Sequence, residues 1–371
     1  MAHILLLCAN ASKKNGGCAG LFAGQARSYR ISTEPKSRGD LWQRACPAKR
    51  PAQPPIFLLA LAHNNRMCAM SSLTQPATAF RHTAADGYSL GGFCWRHAQA
   101  NPQRPLVIIN AATSVRCRYY ARFADYLFAQ GCDVLTYDYR GIGESRPPTL
   151  RGFQASWSDW GQLDFEAMLM LAEQAFPGQP IDVVGHSFGG CAVGLAPSAG
   201  RVRRVVMVGA QFAYWRDYAA DQRWRLFGKW HVVMPLLTRA FGYFPGKRLG
   251  WMEDTPAGVV HDWTTRTPRY EHRPSGRRLE RVPFAHVQAA TLAISLTDDP
   301  FGTVAATERL LGYLQGAERQ HLRIAPVDIS VEEIGHFAFF HDRFRERLWP
   351  IALAWLQRGE LLPTRPGQII S

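Results

Sequence analysis

Apolar residues along this chain do not follow one period; they form short runs separated by turn residues and by longer stretches of helical spacing. Residues 78–97 alternate on either side of Asp86-Gly87, which predicts a β-hairpin. Leu106 to Asn110 (LVIIN) predicts a buried strand. Arg118 to Gln130 repeats its apolar residues at helical spacing and stops at Gly131, a helix terminator. Asp133 to Tyr139 predicts a strand followed by the loop RGIGES, and Trp157 to Phe176 a helix that ends before Pro177. A strand at Ile181 to Val184, a helix at Phe188 to Ala196 and a strand at Val202 to Val208 follow. Later come a strand at Ala290 to Thr297, a helix near Val304 to Leu314, a strand near Asp328 to Ile334 and a final helix, Phe344 to Arg358. Strands that alternate with helices predict a mostly parallel sheet covered by helices on both faces.

Two stretches break this rhythm. Residues 1–70 show no sustained period of 2 or 3.6 and are read as a disordered N-terminal extension. Residues 211–285 interrupt the alternation and hold 14 aromatic residues, five of the eleven tryptophans among them. Such a stretch between two strands is expected to form a lid over the carboxyl edge of the sheet. The expected organisation is therefore an extension at 1–70, one domain at 71–360 with a lid insertion at about 211–285, and a C-terminal tail at 361–371.

Charge sharpens the same division. The net charge is +14; residues 1–70 carry +8, residues 211–285 carry +6, and the remaining residues balance at 20 charges of each sign. The charges of 1–70 are scattered and accompany no nucleic-acid-binding motif, so no nucleic-acid partner is expected. The arginine surplus of 211–285 has two readings: a solvated outer face, or a cationic mouth that attracts an anionic acyl carrier or an anionic lipid surface. The eight cysteines include no CxxC pair and no His/Cys cluster, so no metal, cofactor or disulfide framework is expected. Isolated cysteines, no export signal and no apolar run approaching ~20 residues predict a cytoplasmic protein. Nothing in the pattern bears on oligomeric state.

The chemistry concentrates at Gly185-His186-Ser187-Phe188-Gly189. This G-x-S-x-G lies between a predicted strand and a predicted helix, the setting in which a serine is lifted clear of a sheet on a sharp turn. The helix start supplies unpaired N–H groups to a developing oxyanion. A serine needs a base to take its proton, and His336 in EEIGHFAFF is the candidate. His186, next to the serine, and His97, His321 and His341 are read as packing residues. The base needs a carboxylate, and Asp298-Asp299-Pro300 follows a predicted strand. The chain order Ser187, Asp299, His336 is that of one particular fold.

At four places the chain resembles the α/β-hydrolase superfamily: YDYRGIGES at 137–145, GHSFGG at 185–190, SLTDDPFG at 295–302 and IGHFAFF at 334–340. The resemblance covers about residues 78–360. The run PLLTRAFGYFPGKRLG at 235–250 makes the chain look most like a bacterial group of predicted α/β-hydrolases related to serine aminopeptidase-like and monoacylglycerol-lipase-like enzymes. It implies an eight-stranded, mostly parallel sheet with helices on both faces and a helical lid. It also implies that Asp299 is the triad acid, with Asp298 in reserve, and that the backbone N–H groups of Ala112 and Phe188 form the oxyanion hole. The family's His-Gly pair is replaced here by Asn110-Ala111. The implied activity is hydrolysis of an ester or thioester of a small acyl substrate through an acyl-enzyme. An acyltransferase on the same triad, or a non-catalytic binding protein on the same fold, are the alternatives.

Overall fold

The first paired strands form the expected hairpin, β1 (Thr78–Thr83) and β2 (Ser89–Trp95), antiparallel with Thr83 opposite Ser89. Gly87 takes φ +85° in the turn, a conformation open to glycine. The computed structural model describes residues 77–271 and 283–370, all within the larger of two units of the chain, Thr74–Ser371. The expectation for residues 1–70 lies outside the described residues, and so does part of the 211–285 insert.

Three strands make the centre of the sheet: β3 (Leu106–Asn110), β4 (Asp133–Tyr137) and β5 (Ile181–His186). Every residue of these three strands is buried, because helices cover both faces. Helix α1 (Ala121–Ala129) connects β3 to β4. Helix α2 (Glu166–Ala175) precedes β5 and is continuous with a π-helical stretch at Trp160–Phe165. Helix α3 (Phe188–Val193) leaves β5 at the serine and leads to β6 (Val202–Val208).

The insert follows β6. Its helices include α4 (Met234–Phe241) and α5 (Ala257–Thr264), with a two-stranded ribbon of β7 (Tyr243–Phe244) and β8 (Thr255–Pro256) between them. The main sheet resumes with β9 (Ala290–Leu296), α6 (Val304–Leu311) and β10 (Arg319–Ile324), and closes with α7 (Trp349–Arg358) and β11 (Gln368–Ile370). Its order is β1-β2-β4-β3-β5-β6-β9-β10-β11, parallel from β4 to β10 and antiparallel at both ends.

Three expectations change. The strand placed near Asp328–Ile334 is instead β10, where only Leu322 and Ile324 offer buried apolar side chains and the buried His321 bonds Ser295 and Glu308. That polar content hid the strand, while Pro326 starts a 3-10 turn in the segment that looked strand-like. The sheet has nine strands among the described residues rather than eight, because the tail at 361–371 adds β11 to the edge of β10. The last α-helix starts at Trp349 rather than Phe344, with Pro350 in its first turn where a missing N–H costs nothing.

Candidate active site

Ser187 occupies the junction of β5 and α3 with φ 53° and ψ −118°. A non-glycine residue in that region costs on the order of 1–3 kcal/mol, so surrounding bonds must hold it. The Ser187 N–H donates to the Val208 carbonyl at 3.0 Å, and its own carbonyl accepts from Gly190 N–H at 3.1 Å. The turn also needs a bare residue at Gly189, where a Cβ would lie 2.1 Å from the Asn110 carbonyl oxygen. Thus α3 packs directly on the end of β3, and the serine is raised at the carboxyl edge of the sheet.

The residues after β9 divide their work. Asp299 Oδ2 lies 2.7 Å from His336 Nδ1, and its Oδ1 accepts from Phe301 N–H at 2.8 Å. Burial opposes the charge on Asp299, but the adjacent imidazole and these donors hold its carboxyl below the ordinary aspartate range. Asp298 turns the other way: its Oδ2 accepts from Ile334 N–H at 2.7 Å and Gly335 N–H at 2.8 Å. It ties down the loop that carries His336. Gly209, at φ +55°, lies against the pair; a Cβ there would stand 3.1 Å from Asp299 Oδ2 and 3.2 Å from His336 Nδ1.

His186, read from sequence as packing, is the centre of a directional chain. Its Nε2 lies 2.9 Å from the His336 carbonyl oxygen, which can only accept, so Nε2 carries the proton. Nδ1 is then the acceptor for the Tyr120 hydroxyl at 2.8 Å. Tyr120 Oη in turn accepts the N–H of Ala112 at 2.9 Å. Burial, with His336 beside it, pushes the His186 pKa down to about 3, so the ring is neutral. The chain links the loop after β3, the nucleophile turn and the histidine loop. It also corrects the expectation for Ala112: its N–H is engaged by Tyr120 and not left open to an oxyanion. Phe188, the first residue of α3, has an N–H with no acceptor inside its helix. No signal in the sequence pointed to Tyr120, since an aromatic in a run of helical spacing reads as core.

Asp299 and His336 are therefore in contact. Ser187 reaches the same edge through its neighbours: the His186 and His336 rings are 5.2 Å apart, and Val208, its backbone partner, precedes Gly209. No hydrogen bond joins the Ser187 hydroxyl to His336 in this structure, a common state of a site without substrate. Around the site runs a train of rings. Phe188 stacks on Trp157 (4.9 Å), Trp157 on Trp263 (6.0 Å) and Trp263 on Trp230 (5.1 Å). Phe301 then lies 6.4 Å from Trp230 and 5.2 Å from His336.

The sequence profile described as serine aminopeptidase, S33, matches residues 101–270. A soluble variant of monoglyceride lipase from Saccharomyces cerevisiae, solved with a substrate analogue, superposes with a TM-score of 0.56 at 15% identity. The match covers 78% of this chain and 97% of that one. The chain has the α/β-hydrolase fold. A hypothetical protein from Pseudomonas aeruginosa superposes with a TM-score of 0.52 at 13% identity, covering 77% of this chain and 94% of that one. A comparison with curated proteins finds no match. The profile match contains Ser187 but ends before Asp299 and His336, so the pairing of those two rests on geometry. Among the described residues no helix is long and apolar enough to cross a membrane.

Proposed function

We propose that this α/β-hydrolase is a serine hydrolase that cleaves an ester or thioester through an acyl-enzyme, with Ser187, His336 and Asp299 as its triad. The observation that carries the reading is the Asp299–His336 pair at the sheet edge where Ser187 sits in a strained turn. Asp299 faces Nδ1, so Nδ1 carries the proton and Nε2 presents a lone pair. The Ser187 Oγ attacks the acyl carbon while its proton passes to Nε2, and Asp299 stabilises the imidazolium. The negative oxygen of the tetrahedral adduct is received by the Phe188 N–H at the positive end of α3. Collapse transfers the Nε2 proton to the leaving alcohol or thiol and leaves Ser187 acylated. Water then attacks the acyl carbon and gives a proton to Nε2, which passes it to Ser187 Oγ as the bond to the acyl carbon breaks and the acid is released.

The insert is read as a lid. Trp230 and Trp263 are buried within it and stack towards Phe188 and Phe301, which supports an aromatic wall for an acyl chain. The test is a panel of p-nitrophenyl and thioesters of graded chain length, with fluorophosphonate labelling of the same protein. Labelling and turnover of the wild type, both absent from Ser187→Ala, are expected. Equal labelling of the two proteins would overturn the assignment of Ser187.

A further inference from the structure

Next to the ring train stands Arg266, a cation held by rings. Arg309, Lys247 and Arg146 pair with the insert carboxylates Asp217, Glu253 and Asp254. Arg266, just after α5, forms an ion pair with none of the described residues, and its Nε–H is buried without an acceptor. Its guanidinium carbon lies 5.0 Å from the centre of the Trp157 ring, 5.1 Å from Phe212 and 5.4 Å from Tyr270. Trp157 stacks on Phe188, the residue after the nucleophile, so one ring separates Arg266 from the side chain of Phe188. The indole N–H groups of Trp157 and Trp230 are likewise buried without acceptors.

Rings stack on the faces of a guanidinium, where its π-system meets theirs. Its five N–H donors lie in its plane and point outward from its edge. Stacking satisfies none of these donors, and a buried donor without an acceptor, here the Nε–H, is costly. Surrounding rings also exclude water, which strengthens any ion pair made there. A planar fork held rigid by aromatic faces matches the paired oxygens of a carboxylate or phosphate.

We propose that Arg266 receives an anionic group, a carboxylate or a phosphate, carried by the substrate that acylates Ser187. This inference deepens the hydrolase reading and rests on it for the word substrate, but the anion site stands on its own residues. The anion replaces missing acceptors at the guanidinium edge, and the reacting carbonyl is set by the distance from Arg266 to Ser187. Substrates of this class are half-esters or half-thioesters of dicarboxylic acids, or acyl esters with a phosphate-bearing tail.

The experiment compares p-nitrophenyl half-esters of succinate, glutarate and adipate with their methyl-capped neutral counterparts, and with esters ending in a phosphonate. The readout is the ratio of kcat/KM for anionic over neutral ester of equal length. The wild type is expected to favour one anionic length by about 10- to 100-fold, the scale of one charge-assisted pair. Arg266→Gln should bring that ratio near one, chiefly through KM, and Arg266→Lys should recover only part of it. Which of carboxylate and phosphonate gives the larger ratio identifies the source. Independently of turnover, tryptophan fluorescence of Ser187→Ala is titrated with glutarate and with glycerol phosphate. Saturable quenching that disappears in Ser187→Ala/Arg266→Gln, with an unchanged thermal midpoint, supports the anion site even if no ester is cleaved. A wild-type ratio near one at every length, or quenching unaffected by Arg266→Gln, would overturn it.

Discussion

Among the described residues two buried aspartates each hold a histidine, Asp133 where a strand begins and Asp299 beyond the end of one. Asp133, at the start of β4, contacts His97 Nδ1 at 2.8 Å; Asp299, just beyond β9, contacts His336 Nδ1 at 2.7 Å. Distance and tautomer logic are the same for both. Their surroundings differ. Asp133 also accepts from His97 N–H and from Gln179 Nε2, and the His97 ring lies 4.1 Å from Phe128. No serine in a strained turn stands beside it. Asp299–His336 lies at the carboxyl ends of the strands, beside Ser187 and the start of α3. An Asp–His pair is thus a common way to satisfy a buried carboxylate. It becomes a candidate for catalysis only where topology brings a nucleophile to its open nitrogen.

The largest contrast between the two pairs should come from the histidines. His336→Ala is expected to lower kcat on a p-nitrophenyl ester by roughly 10⁴–10⁶-fold, while His97→Ala changes it by less than about threefold. Comparable losses in both would erase the distinction. The carboxylates extend it: Asp299→Asn should cost about 10⁴-fold in kcat. Asp133→Asn should leave kcat nearly intact and lower unfolding free energy by about 1–3 kcal/mol, measured by urea titration.

Smaller effects test what supports His336. His186→Leu strands the Tyr120 hydroxyl and the His336 carbonyl, and is expected to reduce kcat by about 10- to 100-fold. His186→Gln keeps one donor and one acceptor and should recover most of the loss; failure to recover would remove the hydrogen-bond chain as the cause. Asp298→Asn still presents an oxygen to Ile334 and Gly335 N–H, so a decrease near 10-fold or less is expected. A loss equal to that of Asp299→Asn would instead make Asp298 the acid.

Acid should reveal the buried His186 through stability. His186 has a folded pKa of about 3 against an ordinary 6.5, so the unfolded chain binds its proton first as pH falls. Its contribution is complete above pH 6.5 and is lost as pH falls towards 3, by up to about 1.4 kcal/mol per pH unit. Asp299, held below its ordinary value, adds a further loss only below about pH 4. Thermal midpoints measured from pH 7 to 4 should fall more gently in His186→Gln than in the wild type.

Much of this was readable from local pattern. Period-2 and period-3.6 runs located β1 to β6, β9 and their helices, because burial on both faces demands unbroken apolar strands and amphipathic cover. Ser187 could be read because a sharp turn between strand and helix tolerates few residues, and GHSFGG spells that turn. His336 and the Asp298-Asp299 pair were legible as candidates through their order in the chain. Which aspartate faces the histidine was not: adjacent side chains diverge, and only the packed path of the loop points Asp299 at Nδ1 and Asp298 at the backbone. β10 escaped because a strand rich in Arg, Gln and His is stabilised by its neighbours and not by its own pattern. Tyr120, His186 and Arg266 carry no local signature: Tyr120 and His186 meet across 66 residues, His186 and His336 across 150, and Arg266 gathers rings from as far away as Trp157. Residues that act on their own backbone can be recognised one segment at a time, whereas residues defined by what they touch wait for distant segments to meet.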